Sequence, residues 1–397
     1  ACLGHQFDLD TLAVVCGQSS KAVAHDLWPA LQSGLIIPEN ETYKFFQSED
    51  EPLVAAHDVT VTYQFLHARV QQAACRLIPG DQSQQLHLNI GRRWLREMPL
   101  AKQPHLIFDI VAQINFGKQL ITDGTEQKAI IQLNLKAAKQ AIVNMAYDTA
   151  NHCLQVCRQL LPANSWDMDY ALSLDIYNAS VETAYLHGSW QELDALAKSI
   201  EQKAKNTLDI AQACEFQIEA RTIQGQFSEA IELGLKFLSS LSIEFPKQPD
   251  EGDFKIYLLE TQRLIAGRSI SEILSVPESE SPHCQKLLRL LVKIGVPAYS
   301  LSPILYMLIG LKMVQLTLTH GNTAEATLAY LRYGILNCNV LGDVETGYRF
   351  GQASLALSQQ FETTQNDAYI LWIFHSLILH WKEPLEITLN HLQKAYD

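Results

Sequence analysis

Residues 63–78 read YQFLHARVQQAACRLI, and a histidine, His67, stands where a short apolar run gives way to a helical pattern. An imidazole there can cap the helix or pack at the junction. Two other groups have spacing that could do chemistry. His152 stands beside Cys153 and Cys157, and thiols at i and i+4 on a helix can share a metal. A metal site needs more ligands than these three, and cysteine is also a common small core residue. Arg92, Arg93 and Arg96 form a small basic cluster that fits an acidic partner, or an ordinary solvated helix face. His375 and His380 are five apart and share no helix face.

The motifs that would organise catalysis are missing. The sequence contains no GxxxxGK[ST] phosphate loop, no HRD or DFG pair, no HExxH, no GxSxG and no CxxC. No catalytic or metal-ligating residue is therefore assigned, no cofactor is expected within these residues, and the chain itself is expected to be non-enzymatic.

Charge narrows the partners. The 397 residues carry 43 acidic against 30 basic groups, a net charge of −13. That balance disfavours tracking along nucleic acid or docking on anionic lipid, both of which need basic surface. The most apolar stretch, Tyr299 to Thr319, is broken by Pro303, Gly310 and Lys312 and reads as a buried helix. Eight scattered cysteines suit reduced thiols and a cytoplasmic location. The chain opens on Ala1 with no secretory signal, and its last helical pattern is still running at Asp397. It reads as an internal piece of a longer polypeptide.

The elements that would position these residues have two textures. Residues 1–78 mix short helices with strand-like runs. Asp8 can cap LDTLAVV, Ser19 or Ser20 can cap KAVAHDLWPALQSG, and Val23, Leu27, Ala30 and Leu31 fall at helical spacing up to Gly34. The polar turn PENET, the run YKFFQ, the acidic loop SEDEP and the strand-like VTVTYQFL follow. Two helices, a hairpin-like wing and a closing helix make the order of a winged-helix unit. Four basic against nine acidic residues here, with only Lys21 and His25 on the exposed side of the second helix, argue against DNA binding and for packing on protein.

Connecting helices are expected over 79–124, and a degenerate array of helical hairpins over 125–397. Ala129, Leu133, Ala137 and Ala141 line one helix, and Ala150, Leu154, Cys157 and Leu161 line the next. Turns recur at Gly188, Gly225 and Gly321, each with a small or apolar residue five positions on. FPKQPDEGD (245–253) and SVPESESP (275–282) read as long loops or irregular repeats. Trp190, Phe227 and Trp381, near hairpin turns, are expected to pack between helices. The fold class is thus mostly α: a tetratricopeptide-like helical-hairpin array preceded by a small α+β winged-helix-like domain.

The segment YQFLHARVQQAACRLIPGDQSQQLHLNIGRRWL, with its Leu86-His87 pair, resembles the junction after the ATPase core in large bacterial STAND-type, AAA-like signalling ATPases. HWKEPLEITLNHLQKAYD (380–397) resembles the end of the helical-repeat region in the same proteins. In that group a serine/threonine kinase domain commonly precedes the ATPase, and GAF and histidine-kinase domains follow the repeats. The resemblance implies a regulatory, protein-interacting region that relays nucleotide state, with ATP or ADP and Mg held upstream. It implies the ATPase domain as a partner in cis, an unidentified protein on the repeat array, and oligomerisation on activation. It also implies that His67 contacts the β-phosphate of ADP as a sensor, although the Asp usual at the next position is Ala68 here. A stand-alone scaffold, or the regulatory region of a STAND transcription regulator, are the alternatives.

Overall fold

The computed structural model describes residues 1–46, 61–97, 106–361, 364–384 and 387–389. The fold is mostly helical with one small three-stranded sheet. The chain divides into two compact units, Ala1–Ala179 and Ser180–Asp397.

The first unit opens with β1 (Gln6–Asp8), α1 (Leu9–Cys16), α2 (Ser20–Gln32), β2 (Ile36–Pro38), β3 (Thr62–Phe65) and α3 (Ala68–Arg76). Asp8 caps α1 as expected and, of the two serines, Ser19 caps α2, accepting from the backbone N–H of Thr11 and Ala22 respectively. The sheet differs from the anticipated hairpin. Its order is β1-β3-β2, and both outer strands run antiparallel to β3. Residues Glu41–Phe46, which cover most of the YKFFQ run, form a 3-10 helix instead of a wing strand. The N-terminal Gln6–Asp8, which carries no alternating pattern long enough to read, supplies the third strand. Tyr63 and Phe65 alternate inward and meet Phe7 at ring distances of 5.9 and 5.7 Å. The acidic SEDEP loop lies outside the described residues.

The same unit continues with α4 (Gly80–Glu97), α5 (Leu106–Phe116), α6 (Gly124–Val143), α7 (Tyr147–Leu160) and α8 (Ser165–Met168). α9 (Tyr170–Leu186) contains the division between the units. α5 and α6 are registered by a buried amide pair, in which Asn115 Nδ2 donates to Asn134 Oδ1 at 2.8 Å and Asn134 returns the bond at 3.0 Å.

The second unit holds α10 (Trp190–Lys203), α11 (Ala211–Ile223), α12 (Phe227–Ser240), α13 (Glu251–Ile265), α14 (Ile270–Leu274), α15 (Pro282–Leu301), α16 (Pro303–His320), α17 (Ala326–Leu336), α18 (Val344–Phe361) and α19 (Thr364–Leu377). Asp250 starts α13 with a capping box to Asp253, so the EGD end of the expected loop is already helix. α13 then packs on α16 rather than on a sequence neighbour, which makes this part irregular.

The hairpin turns are the most informative local feature. After α9, Gly188 has φ +74°, its N–H bonds Tyr185 O at 3.0 Å, and the Ser189 N–H reaches Ala184 O at 2.8 Å. After α11, Gly225 has φ +74°, with bonds to Thr222 O at 3.0 Å and from Gln226 to Arg221 O at 2.8 Å. The same turn joins α6 to α7, where Met145 bonds Ile142 O at 3.0 Å and Ala146 bonds Ala141 O at 2.8 Å. These are three copies of one Schellman closure. Two residues beyond each αL position an aromatic side chain opens the next helix (Tyr147, Trp190, Phe227), and five beyond it a fully buried residue follows (Ala150, Leu193, Ala230). The first copy escapes a search for glycine because methionine, at φ +58°, occupies the left-handed position.

A Cβ at positive φ is strained by about 1–2 kcal/mol, while glycine costs about 0.5–1 kcal/mol of unfolded-chain entropy. Met145 is largely exposed, so little packing is at stake. Met145→Gly is expected to raise unfolding stability by roughly 0.5–1 kcal/mol, read as a higher urea midpoint. A lower midpoint would show that the Met145 side chain holds the turn.

Gly321 is not a fourth copy. Its φ of +111° carries the chain out of α16, and the next N–H, of Asn322, bonds Pro277 O at 3.0 Å. A Cβ at Gly321 would stand 2.7 Å from Pro277 O. The SVPESESP segment is thereby stitched to the GNTAEA turn, with a parallel bridge between Glu278 and Asn322.

Candidate functional site

His67 is the N-cap of α3, with extended backbone at φ −152° and ψ 146°. Its Nδ1 accepts from the Arg69 N–H at 3.1 Å. A ring nitrogen that accepts carries no proton, so the neutral imidazole bears its hydrogen on Nε2. His67 is exposed, as are Leu66 and Ala68 on either side. The helix cap therefore sets the tautomer and leaves an Nε2–H donor on the accessible side of the ring. Ala68 brings no carboxylate to orient the imidazole; the backbone N–H of Arg69 does so instead.

The Leu86-His87 pair is built into the scaffold. His87 Nδ1 lies 2.6 Å from Gln113 Oε1, and its ring sits 4.2 Å from the Phe116 ring. Gln113 Nε2 in turn donates to Cys2 O at 2.9 Å, so one amide ties α4 and α5 to the chain before β1. The three arginines diverge. Arg92 makes a two-pronged pair with Glu126 of α6 at 2.6 and 2.7 Å. A Cβ on Gly17 would meet the Arg93 guanidinium at 2.8 Å, so Arg93 lies over the end of α1, and Arg96 is exposed. The acidic partner of this cluster is thus found, for Arg92, inside the same unit. Lys21 and His25 are exposed on α2.

Cys153 and Cys157 are core residues. Burial pushes their thiols up to about 11 and about 12, and Cys157 Sγ is engaged with Ile131 O at 3.4 Å. A metal would require thiolates, which this apolar setting disfavours. His152 is exposed, whereas both cysteines are buried. Among the described residues no group of three His, Cys, Asp or Glu side chains could hold a metal ion. Nor, among them, is any helix long and apolar enough to cross a membrane.

Two features of the second unit lay outside the sequence reading. Glu215 of α11 is almost fully buried and pairs with Arg289 of α15 at 3.0 Å, with Glu219 and Lys293 paired one turn along. Burial raises the Glu215 carboxyl, and Arg289 opposes the shift. The matched i, i+4 spacing on both helices was the available signal. The second feature is a cavity of about 570 Å³ between α15, α16 and α17. No local pattern marks it, because its walls come from residues up to 41 positions apart in the chain, Tyr299 to Val340.

No protein-family model matches the chain. It is similar to hybrid signal transduction histidine kinase G of Dictyostelium discoideum, at 24% identity over 462 aligned positions. That alignment takes in 100% of this chain and 13% of the other protein, so the chain spans about an eighth of the relative's length.

Proposed function

We propose that this chain is a non-catalytic regulatory region of a larger cytoplasmic signal-transduction protein, of the STAND ATPase type and linked to kinase output. The observation that carries this reading is a similarity running the whole length of the chain yet covering 13% of a hybrid signal transduction histidine kinase. A segment of that share, rich in helical hairpins and without nucleotide or kinase motifs, suits relay and partner binding. In this reading the N-terminal winged-helix-like unit reports on a nucleotide held by a preceding ATPase core, and the hairpins engage an input partner. His67 is the contact: its capped Nδ1 supports an Nε2–H that can donate to a phosphate oxygen of ADP.

Capping and sensing are separable at this position. His67→Ala removes both the cap acceptor and the donor, whereas His67→Asp keeps an excellent cap and places a negative charge toward the phosphate. In the full-length parent, ADP retention is expected to fall in both variants, while the cap loss of about 1 kcal/mol appears in Ala alone. Retention restored by Asp would reduce His67 to a cap. Retention unchanged in Ala would remove the proposed contact. An upstream reading frame without a phosphate loop would remove the ATPase assignment itself.

A further inference from the structure

We propose that the cavity between α15, α16 and α17 is a binding site for a small amphipathic monocarboxylate, anchored by Arg332. The site stands on its own geometry and does not depend on the signalling reading. Its walls are largely apolar and aromatic: Tyr299, Pro303, Tyr306, Met307 and Tyr333 line it together with Arg332, the one charged residue among its described lining residues. The two tyrosines at the mouth meet edge to face at 5.3 Å, and Tyr299 is 70% exposed.

Arg332 is poorly satisfied where it lies. Its Nη1 contacts the Met313 thioether sulfur at 3.3 Å, and Nη2 reaches Val292 O at a long 3.4 Å. Its Cζ sits 5.1 Å from the Tyr306 ring centroid. A thioether is a weak acceptor, and among the described residues no carboxylate pairs with this arginine. The half-buried cation thus has five N–H donors and two marginal acceptors. The scaffold nonetheless makes room for it. A Cβ at Gly295 would fall 2.6 Å from both terminal nitrogens, and one at Gly310 would fall 3.4 Å from Arg332 Cβ. The Gly295 position on α15 thus leaves room for the guanidinium itself, while Gly310 on α16 lies in ordinary contact with the arginine's stem.

A second observation marks the same place. α17 runs into a π-type turn, Asn337–Leu341, which widens the backbone and sets Val340, 56% exposed, at the cavity rim. Such single wide turns recur at functional sites. The volume suits a drug-sized ligand, and a mostly apolar pocket with one convergent polar anchor is the usual form of such a site. Guanidinium presents two parallel N–H groups that match a carboxylate. A phosphate dianion would demand more positive charge than one arginine among apolar walls supplies.

Decanoate and its uncharged analogue 1-decanol are suitable probes, titrated calorimetrically into the 397-residue chain. Decanoate is expected to bind once per chain, with decanol at least about tenfold weaker. In Arg332→Gln the advantage of decanoate over decanol should vanish. Met307→Trp fills the cavity without touching the charge and should abolish binding of both, which keeps the test intact if the arginine variant fails to fold. Equal affinity for the two probes in the wild type would overturn the proposal, as would unchanged decanoate binding in either folded variant or no saturable binding at all.

Discussion

Replacing Asn322 with alanine is expected to lower the unfolding free energy of the second unit by about 3 kcal/mol, at roughly 1 kcal/mol per hydrogen bond lost. Asn322 is almost fully buried in the turn between α16 and α17. The two N–H groups of Nδ2 donate to Ile273 O at 3.2 Å and Val276 O at 3.1 Å, with Leu274 O at 3.4 Å sharing one of them. Its Oδ1 accepts from the Tyr330 hydroxyl at 3.0 Å, and its backbone makes both bonds of the bridge to Pro277 and Ser279. One side chain therefore closes the end of α14, positions the loop before α15 and satisfies a buried phenol. That burial pushes the Tyr330 hydroxyl well above its ordinary range, so the phenol stays protonated and stays a donor. Alanine would strand the hydroxyl in an apolar core, where an unpaired group costs more than a typical bond gains. Tyr330→Phe should lose only about 1 kcal/mol, and the double variant should lose less than the sum, because the orphaned group has gone. Urea midpoints of the four proteins measure the coupling. A loss below about 1 kcal/mol in Asn322→Ala would show that the loop holds without this hub.

Gly347→Val is the other large effect, with an expected loss of about 3 kcal/mol or more. α17 and α18 approach until their backbones touch. A Cβ on Gly347 would stand 2.8 Å from Gly334 O and 3.0 Å from the Cys338 N, and would collide with the Cys338 sulfur. Across the interface, a Cβ on Gly334 would meet Gly347 O at 2.9 Å. A flexible side chain can rotate away from a new methyl, but backbone cannot, so the helices must separate. Separation would loosen the packing of Phe350 against Tyr333 at 4.7 Å and Tyr330 at 5.9 Å. Faster amide exchange along α17 and α18, with the first unit unaffected, is the expected signature. Exchange unchanged in those helices would mean that the interface relaxes without cost. The Gly334 position should behave alike, whereas Gly342, with open space around its Cβ position, is limited only by its φ of +74°.

The repeated turn shows how far local pattern carries. Gly188 and Gly225 announce their turns because only glycine adopts the left-handed conformation freely, and the buried residue five positions on follows from helical geometry. Met145 performs the same turn against that preference, held by the same pair of backbone bonds. A reading based on residue type passes over it. Gly321 misleads in the opposite sense: it looks like a hairpin glycine, yet it serves the close passage of Pro277.

What the amino-acid order determined by itself was local and periodic: the cap at Asp8 and a serine cap at 19 or 20, the buried helical faces, the hairpin rhythm, the histidine placed where a strand meets a helix. Each follows from interactions within a few residues along the chain. Tertiary structure alone decided the rest. It chose Gln6–Asp8 as the partner of β3, laid α13 on α16, sent Arg92 to Glu126, made Asn322 a hub and set the Arg332 guanidinium beside the Tyr306 ring. Those outcomes depend on which distant surfaces exclude water together, and burial is a property of the assembled core that no short window of sequence contains.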